Sequence, residues 1–328
     1  MIDNHGRTVN YVRLAITDRC NLRCSYCMPE EGIAFAERAA LLSYEEMERL
    51  LRILTGLGVD KVRITGGEPF VRRDFMHFLE RITAIEGIRK IALTTNGTLT
   101  APYVPQLKRL GIGPVNLSLD TLNEEHFYEI TRRDEFQNVW RTLQALVEHE
   151  MEVKINMVVM QGRNEADITD MIALTRTWPV QVRFIEEMPF NGEGQHYAAW
   201  KWDFVRIIEH IQKFYPTLTK KPDPPNTTAY NYAIPGHRGD IGVIAAYSRT
   251  FCGTCNRLRI TPQGLLKTCL YDTGVFNLRD LLRQGASDKE IATAIEEAVS
   301  HRAKNGHEAE AARFAGMPVS ESMTTIGG

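Results

Sequence analysis

Cysteine is missing from the whole middle of this 328-residue chain: none of its six stands between Cys27 and Cys252, and none follows Cys269. Long apolar runs are missing too, and no stretch approaches the roughly 20 residues that a membrane helix needs. The first residues, Met1-Ile2-Asp3-Asn4-His5-Gly6, show no basic stretch leading into an apolar core, so no secretory signal is expected. Charge of one sign is not in excess. A net charge of −2 and an isoelectric point near 6.5 argue against broad nucleic-acid or anionic-membrane binding. No Gly-x4-Gly-Lys-Ser/Thr occurs, so a phosphate-hydrolysing loop of that kind is not expected. Internal repeats and low-complexity tracts are also absent. What remains, with 43% hydrophobic and 24% charged residues, has the balance of an ordinary globular protein, and its expected address is the cytoplasm.

The length fits two domains, or one barrel with a smaller region attached. Strands are expected at Tyr11 to Ile16, Lys61 to Thr65, Lys90 to Thr94, Val115 to Leu119, Val153 to Met160 and Gln181 to Ile185, all short and rich in Val, Ile or Leu. Between them run helical patterns with readable starts. Ser43 stands three residues before Glu46, a capping-box spacing; Asn123 precedes Glu124 and Glu125; Asn164 opens a helix before Met171. Six β-α units in succession predict a parallel α/β sheet, either a barrel, complete or not, or a doubly wound sheet. The pattern breaks after Phe190. Asn191 to Gly194 reads as a loop, Trp202 to Tyr215 as a helix, and Pro216 to Pro225 as a connector. Further strands are expected at Tyr230 to Ile234, Ile241 to Ala246, Leu258 to Thr261 and Leu265 to Cys269, with Pro262-Gln263-Gly264 as a hairpin turn. Ser287 and Glu290 start another helix, and the last twenty-odd residues read as irregular. The expected division is 1–215 and 216–328.

Three cysteines, Cys20, Cys24 and Cys27, fall within eight residues just after the first strand; Cys252, Cys255 and Cys269 fall within eighteen. Disulfides are rare in the cytosol, so two tight thiol groups read as two metal sites. Structural zinc takes four ligands, and only three thiols are local; a histidine could complete the set, the nearest preceding one being His5. A four-iron cluster on three thiolates instead keeps one iron free to bind something else, and the spacing favours that reading over zinc.

Cys20-x3-Cys24-Ser25-Tyr26-Cys27, followed by Gly66-Gly67-Glu68-Pro69 after the second strand, resembles the signature of radical S-adenosylmethionine enzymes. The second thiol group narrows the likeness, because one three-cysteine cluster at each end is similar to the GTP 3′,8-cyclases of molybdenum cofactor biosynthesis. The likeness covers almost the whole chain. It includes Cys-Met-Pro-Glu at 27–30, Arg63-Ile64-Thr65, Thr94-Thr95-Asn96-Gly97, Asn116-Leu117-Ser118-Leu119-Asp120, Arg183-Phe184-Ile185-Glu186, Arg257-Leu258-Arg259 and the terminal Gly327-Gly328.

The resemblance implies an incomplete (βα)6 barrel of the TIM type, with a C-terminal α+β region closing its open side. It implies two [4Fe-4S] clusters, on Cys20, Cys24 and Cys27 and on Cys252, Cys255 and Cys269. S-adenosylmethionine would lie against Tyr26, Gly67, Ser118 and Met188. GTP would meet Arg13, Arg63, Thr94, Lys154, Arg257, Leu258 and Arg259, with Arg257 and Arg259 also serving catalysis. Hydrogen would be taken from the ribose 3′ carbon and a bond formed to C8 of guanine. The tail of Gly327 and Gly328 would reach the substrate end of the barrel. The implied partners are an unidentified electron donor and a cyclic pyranopterin monophosphate synthase that receives the product; a homodimer is compatible with the likeness.

Physical chemistry supports part of this independently. Several negative charges on a triphosphate require local basic residues in a chain of net charge −2, and a cation inside an apolar strand is costly unless paired, which singles out Arg13, Arg63 and Lys154. Arg257 and Arg259 share one face of a strand. Against these stand plainer readings: surface charge for Arg257 or Arg259 singly, core filling for Met188, an ordinary strand-end residue for Ser118, a strand-end charge for Glu186-Glu187, and a frayed terminus for Gly327-Gly328. Two rival functions also stand: a radical enzyme acting on another phosphorylated substrate, and a zinc-binding interaction protein.

Overall fold

Short runs of β-branched and aliphatic residues become strands because their side chains pack on both faces of a covered sheet. The structure, a computed structural model, describes residues 1–191, 202–313 and 321–327. Its strands are β1 (Tyr11–Ala15), β2 (Lys61–Thr65), β3 (Lys90–Thr95), β4 (Val115–Ser118), β5 (Val153–Val159), β6 (Gln181–Glu186), β7 (Thr219–Lys220), β8 (Ala229–Ala233), β9 (Asp240–Ile244), β10 (Arg257–Ile260), β11 (Leu265–Lys267) and β12 (Phe276–Asn277). All join one sheet in the order β12-β11-β10-β1-β2-β3-β4-β5-β6-β9-β8-β7. The strands from β1 to β6 are consecutive and parallel, as an incomplete (βα)6 barrel requires.

The C-terminal region extends this sheet at both edges. Strand β9 lies parallel to β6, whereas β10 lies parallel to β1. Because β9 and β10 are consecutive in the chain but flank opposite ends of the six-stranded core, the segment 245–256 between them spans the open side of the barrel. That segment carries Cys252 and Cys255. The outermost strands, β12 and β7, do not pair with each other, so the sheet stays open.

Helices cover the outer face, and their starts follow local chemistry. Ser43 and Glu46 close a reciprocal capping box on Tyr44–Gly56, and Ser287 and Glu290 do the same for Asp288–Ser300. The Asn123 side chain caps Glu124–Thr131, and Asp203 caps Phe204–Phe214. Their apolar faces join one continuous core with the strands, including Leu50, Phe78, Leu143 and Ile172.

Three expectations are corrected, the first at Pro216 to Pro225, read as a connector, where Thr219–Lys220 joins the sheet as β7 beside β8. Asn164 does not cap the helix Ile168–Thr177: its Nδ2 donates to the carbonyls of Asp120 and Val158 at 2.9 Å each, and its Oδ1 accepts from the Met160 amide. It ties the ends of β4 and β5 together instead. The chain end is not uniformly irregular, since Gly306–Ala311 and Met323–Ile326 are helical. The loop expected at Asn191 to Gly194 lies, past Asn191, outside the described residues.

Candidate active site

Strand periodicity puts alternate residues on one face, and parallel register lines them up across strands. Arg259, Arg13 and Arg63 are register partners in a row across β10, β1 and β2; two residues earlier, Arg257, Tyr11, Lys61 and Lys90 form a second row. On the far side, Thr94, Asn116, Lys154 and Gln181 continue across β3 to β6. The concave face of the barrel is therefore polar and strongly basic, whereas Val12, Leu14, Val62 and Ile64 between these positions fill the core.

Two cavities occupy this face. The larger, about 670 Å³, is lined by Arg13, Arg63, Lys154, Arg183, Arg257 and Arg259 and by all three of Cys252, Cys255 and Cys269. The smaller, about 160 Å³, lies where the strands end and contains Cys20, Cys24, Cys27, Tyr26, Gly67, Thr94, Ser118 and Met188. Arg13, Asn156, Ile185, Met188 and Met323 line both, so the cavities share a wall.

The loop bearing the first thiols is fixed by its own backbone. The Arg23 and Ser25 amides donate to the carbonyls of Thr131 and Ile130, and the amides of Cys27 and Met28 both turn back to the Cys24 carbonyl. Gly66 and Gly67 run against this loop so closely that a Cβ on either would meet the Thr17 carbonyl oxygen at 2.6 Å or that of Arg19 at 2.3 Å. Only glycine permits that approach. Glu68, fully buried, accepts from the Thr95 hydroxyl and the amides of Asn96 and Phe70, and burial pushes its carboxyl up to about 7. Asn96 in turn points its Nδ2 at the Cys20 sulfur, 3.6 Å away. The Tyr26 hydroxyl donates to Asp120 at 2.9 Å, placing Asp120 on the cavity wall.

The donor sets fit iron–sulfur clusters. Burial pushes the Cys20 thiol up to about 11 and raises those of Cys24 and Cys27 as well, so their thiolates call for a neighbouring cationic centre to balance them. Among the described residues, no three His, Cys, Asp or Glu side chains converge as a single metal ion requires. Thiols set around a shared cavity match the reach of a cluster several ångström across. His5 is not near the first group: its Nε2 bonds the Arg302 carbonyl, beside the second. At that second group burial raises Cys252 and takes Cys269 up to about 11. Burial acts on Cys255 the same way, yet the charges of Arg257 and Arg302 bring it below the ordinary thiol value.

The basic rows suit a multiply charged anion. Burial and then Arg259 push the Arg13 guanidinium well below its usual range, and Arg183 is pushed to about 10 by burial and then Arg63. Burial would raise the Tyr11 phenol, but Arg63, Arg13 and Lys61 outweigh it and bring the group down to about 7. Arg63 donates to the Tyr11 hydroxyl at 2.7 Å and to the Thr94 hydroxyl at 3.3 Å. Lys154 pairs with Glu152 at 2.7 Å. Tyr11 and Lys61 were not singled out in the sequence, although the period of two from Arg13 and Arg63 would have found them, and Arg183 was noted only as part of a motif with no role attached.

Two expected substrate contacts, Thr94 and Leu258, lie outside the larger cavity. Thr94 lines only the smaller one, with the first thiols. Leu258 is fully buried in the hydrophobic core and lines neither cavity, because alternation turns it away from Arg257 and Arg259. At the chain end, the Gly327 carbonyl accepts from Arg259 Nη1 at 2.6 Å; Gly328 lies outside the described residues. Glu186 is a staple: its carboxylate accepts from the amides of Phe204, Tyr247 and Ser248 and from the Ser248 hydroxyl.

Known proteins show which family the chain belongs to. Residues 14–175 match the Radical SAM superfamily, and residues 180–308 match Molybdenum Cofactor Synthesis C. The chain is 42% identical to a GTP 3′,8-cyclase of Desulforamulus reducens, over 94% of this chain and 95% of that protein. It is likewise 42% identical to molybdenum cofactor biosynthesis protein 1 of Bos taurus and of Homo sapiens, over 92% of its own length, and spans about half the length of these relatives, 48%. Among solved structures, Streptococcus suis SuiB bound to S-adenosylmethionine shares the fold with a TM-score of 0.58 at 16% identity, covering 88% of this chain and 68% of that one. Among the described residues no helix is long and apolar enough to cross a membrane.

Proposed function

The chain belongs to the GTP 3′,8-cyclase family of the radical SAM superfamily, and from that membership we propose that it converts GTP to (8S)-3′,8-cyclo-7,8-dihydroguanosine 5′-triphosphate, the first step of molybdenum cofactor biosynthesis. The observation that carries this reading is the shared wall between two cavities, each holding three free cysteines. Bound S-adenosylmethionine and a reduced cluster supply one-electron carbon–sulfur cleavage and, through it, hydrogen abstraction from the substrate.

The protein's own residues bind, orient and shield. Cys20, Cys24 and Cys27 hold the first cluster, with Tyr26, Gly67, Ser118 and Met188 around the cofactor. Cys252, Cys255 and Cys269 hold the second. Arg13, Arg63, Lys154, Arg257 and Arg259 neutralise the triphosphate, which relieves the mutual repulsion of the guanidinium groups in that row. Thr94 presents its hydroxyl where Arg63 already fixes it. Met188 and Met323 occupy the shared wall and keep water from the junction. On this reading residues 1–215 form the catalytic barrel and 216–328 the region bearing the second cluster. The enzyme works in the cytoplasm, receives electrons from a separate donor and passes its product to a cyclic pyranopterin monophosphate synthase.

An anaerobic reaction with reductant, S-adenosylmethionine and GTP, read by mass spectrometry, tests the proposal. The cyclised triphosphate is expected from GTP and not from ATP. Cleavage of S-adenosylmethionine without any cyclised GTP would reject the substrate.

A further inference from the structure

The N-terminal loop, which lacks any readable pattern, is built into the wall behind the second thiol group. Asp3, Arg7 and Arg302 are all buried. The Asp3 carboxylate accepts from Arg7 Nε at 2.6 Å, from Arg302 Nη1 at 3.2 Å and from the amides of His5 and Arg7 at 2.9 Å each. Arg7 fans its remaining donors to the carbonyls of Cys252, Ala303 and Lys304 at 2.7–3.0 Å.

Arg302 is bound closest to the thiols. Its Nη2 points at the Cys255 sulfur, 3.7 Å away, and also donates to the carbonyls of Thr268 and Arg257. Nη1 reaches the Cys255 carbonyl at 3.3 Å, and Nε the Thr268 carbonyl at 3.2 Å. Thr268 immediately precedes Cys269. One guanidinium therefore contacts both the sulfur and the carbonyl of Cys255 and the carbonyl of the residue before Cys269, while Arg7 takes the carbonyl of Cys252.

A buried ion triad is an expensive way to brace a loop, since apolar side chains would brace it as well. Charge does something they cannot. Two guanidinium groups and one carboxylate leave a net positive charge beside the sulfurs, directed at Cys255 through an N–H···S contact. Positive charge and hydrogen bonds to sulfur stabilise the more negative, reduced form of an iron–sulfur cluster.

We propose that Arg302 is a positioning residue that, balanced by Asp3, sets the reduction potential of the cluster held by Cys252, Cys255 and Cys269. This rests on those three cysteines being the ligands of the second cluster. In a chain with two clusters, the gap between their potentials decides which one a donor reduces.

The test is an EPR-monitored redox titration of the anaerobically reconstituted full-length protein, with iron content measured alongside. S-adenosylmethionine should perturb the signal of the first cluster and GTP that of the second, which separates the two. In Arg302→Gln the second cluster should become at least tenfold harder to reduce at a fixed potential, a fall of about 59 mV for a one-electron couple. In Asp3→Asn it should move the opposite way, because only the balancing negative charge is lost. Arg302→Lys should stay nearer the parent than Arg302→Gln does, and the first cluster should not move in any variant. If Arg302→Gln fails to hold the second cluster, the sign of the Asp3→Asn shift decides. Shifts of the same sign, no shift with both clusters intact, or loss of the second cluster in both variants would make the triad a structural clamp and overturn the proposal. A parent protein with only four irons would instead refute the ligand assignment.

Discussion

Arg259 Nη1 holds the carbonyl oxygen of Gly327 at 2.6 Å, so the penultimate residue of the chain sits on the guanidinium at the end of the basic row. A Cβ on Gly327 would stand 2.8 Å from the Ala15 Cβ and 3.2 Å from the Thr65 Cγ2, and φ there is +78°. Both space and backbone demand glycine. Deleting residues 327–328, or Gly327→Val, should leave iron content and uncoupled S-adenosylmethionine cleavage nearly intact but cut cyclised GTP by about tenfold or more, the scale of one lost 1.4 kcal/mol contact. Full-rate product from the truncated enzyme would show that the tail is dispensable.

Removing single thiols separates the two sites. The anaerobically reconstituted protein should bind about eight irons, as two four-iron clusters imply. Cys24→Ala should halve this and abolish S-adenosylmethionine cleavage. Cys255→Ala should also halve it, while preserving uncoupled cleavage and eliminating the cyclised product. Iron analysis and 5′-deoxyadenosine assay decide; zinc without iron would end the radical reading.

Arg259→Lys keeps a positive charge but loses the planar fork that can grip oxygen atoms in two places. GTP binding should weaken by about 1–3 kcal/mol, the scale of a charge-assisted hydrogen bond, with both clusters retained. Equilibrium binding measures this. If affinity is unchanged in both Arg257→Ala and Arg259→Ala, neither touches the substrate.

Glu186 stitches the end of β6 to the start of the helix Phe204–Phe214 through one donor and to Tyr247 and Ser248 of the C-terminal region through three. Glu186→Ala leaves three backbone N–H groups without this acceptor, at about 1–3 kcal/mol for each one that finds no substitute. A drop of about 3 kcal/mol in unfolding free energy is expected from anaerobic chemical denaturation. A role in proton transfer would instead show as lost turnover at unchanged stability.

His126 bonds the Asp167 carboxylate at 2.9 Å, and that hydrogen bond raises the imidazole above its ordinary value of 6.5. The folded state therefore holds the proton more tightly than the unfolded chain. The stabilisation is complete below pH 6.5 and disappears as pH rises through the folded value. Titration by NMR should place His126 above 6.5, and Asp167→Asn should bring it back; equal titration in both proteins would refute the pair.

Legibility in the sequence followed the range of the interaction. Strand β2 falls at its expected bounds, and the capping boxes at Ser43 and Ser287 form as their spacing predicts, because each depends on neighbours a few residues away. The cysteine groups were readable for the same reason. Long-range pairing was not: nothing local marks β10 as the partner of β1, or sends β9 to the far edge beside β6. Asn164 looked like a cap because its type suits one, yet two carbonyls and an amide from the β4 and β5 ends claim its side chain. Leu258 shared a motif with two arginines, and motif adjacency concealed that alternate residues face opposite ways. Asp3 and Arg7 left no trace, since their partners are the distant Arg302 and Cys252.

The parallel pairing of β1 with β10 has a consequence for how the protein is made. Cys20, Cys24 and Cys27 leave the ribosome more than two hundred residues before Arg257 and Arg259. Until β10 is synthesised, one edge of β1 has no neighbour and the basic row lacks its final member. Closing a loop of that length is a slow, late event in folding. A nascent chain can thus display the first thiol loop but not a finished reaction chamber, so iron delivered during translation would meet an exposed, half-built site. Completion of the chamber around both thiol groups therefore waits for the pairing of β1 with β10, which makes it a late event in the folding of this chain.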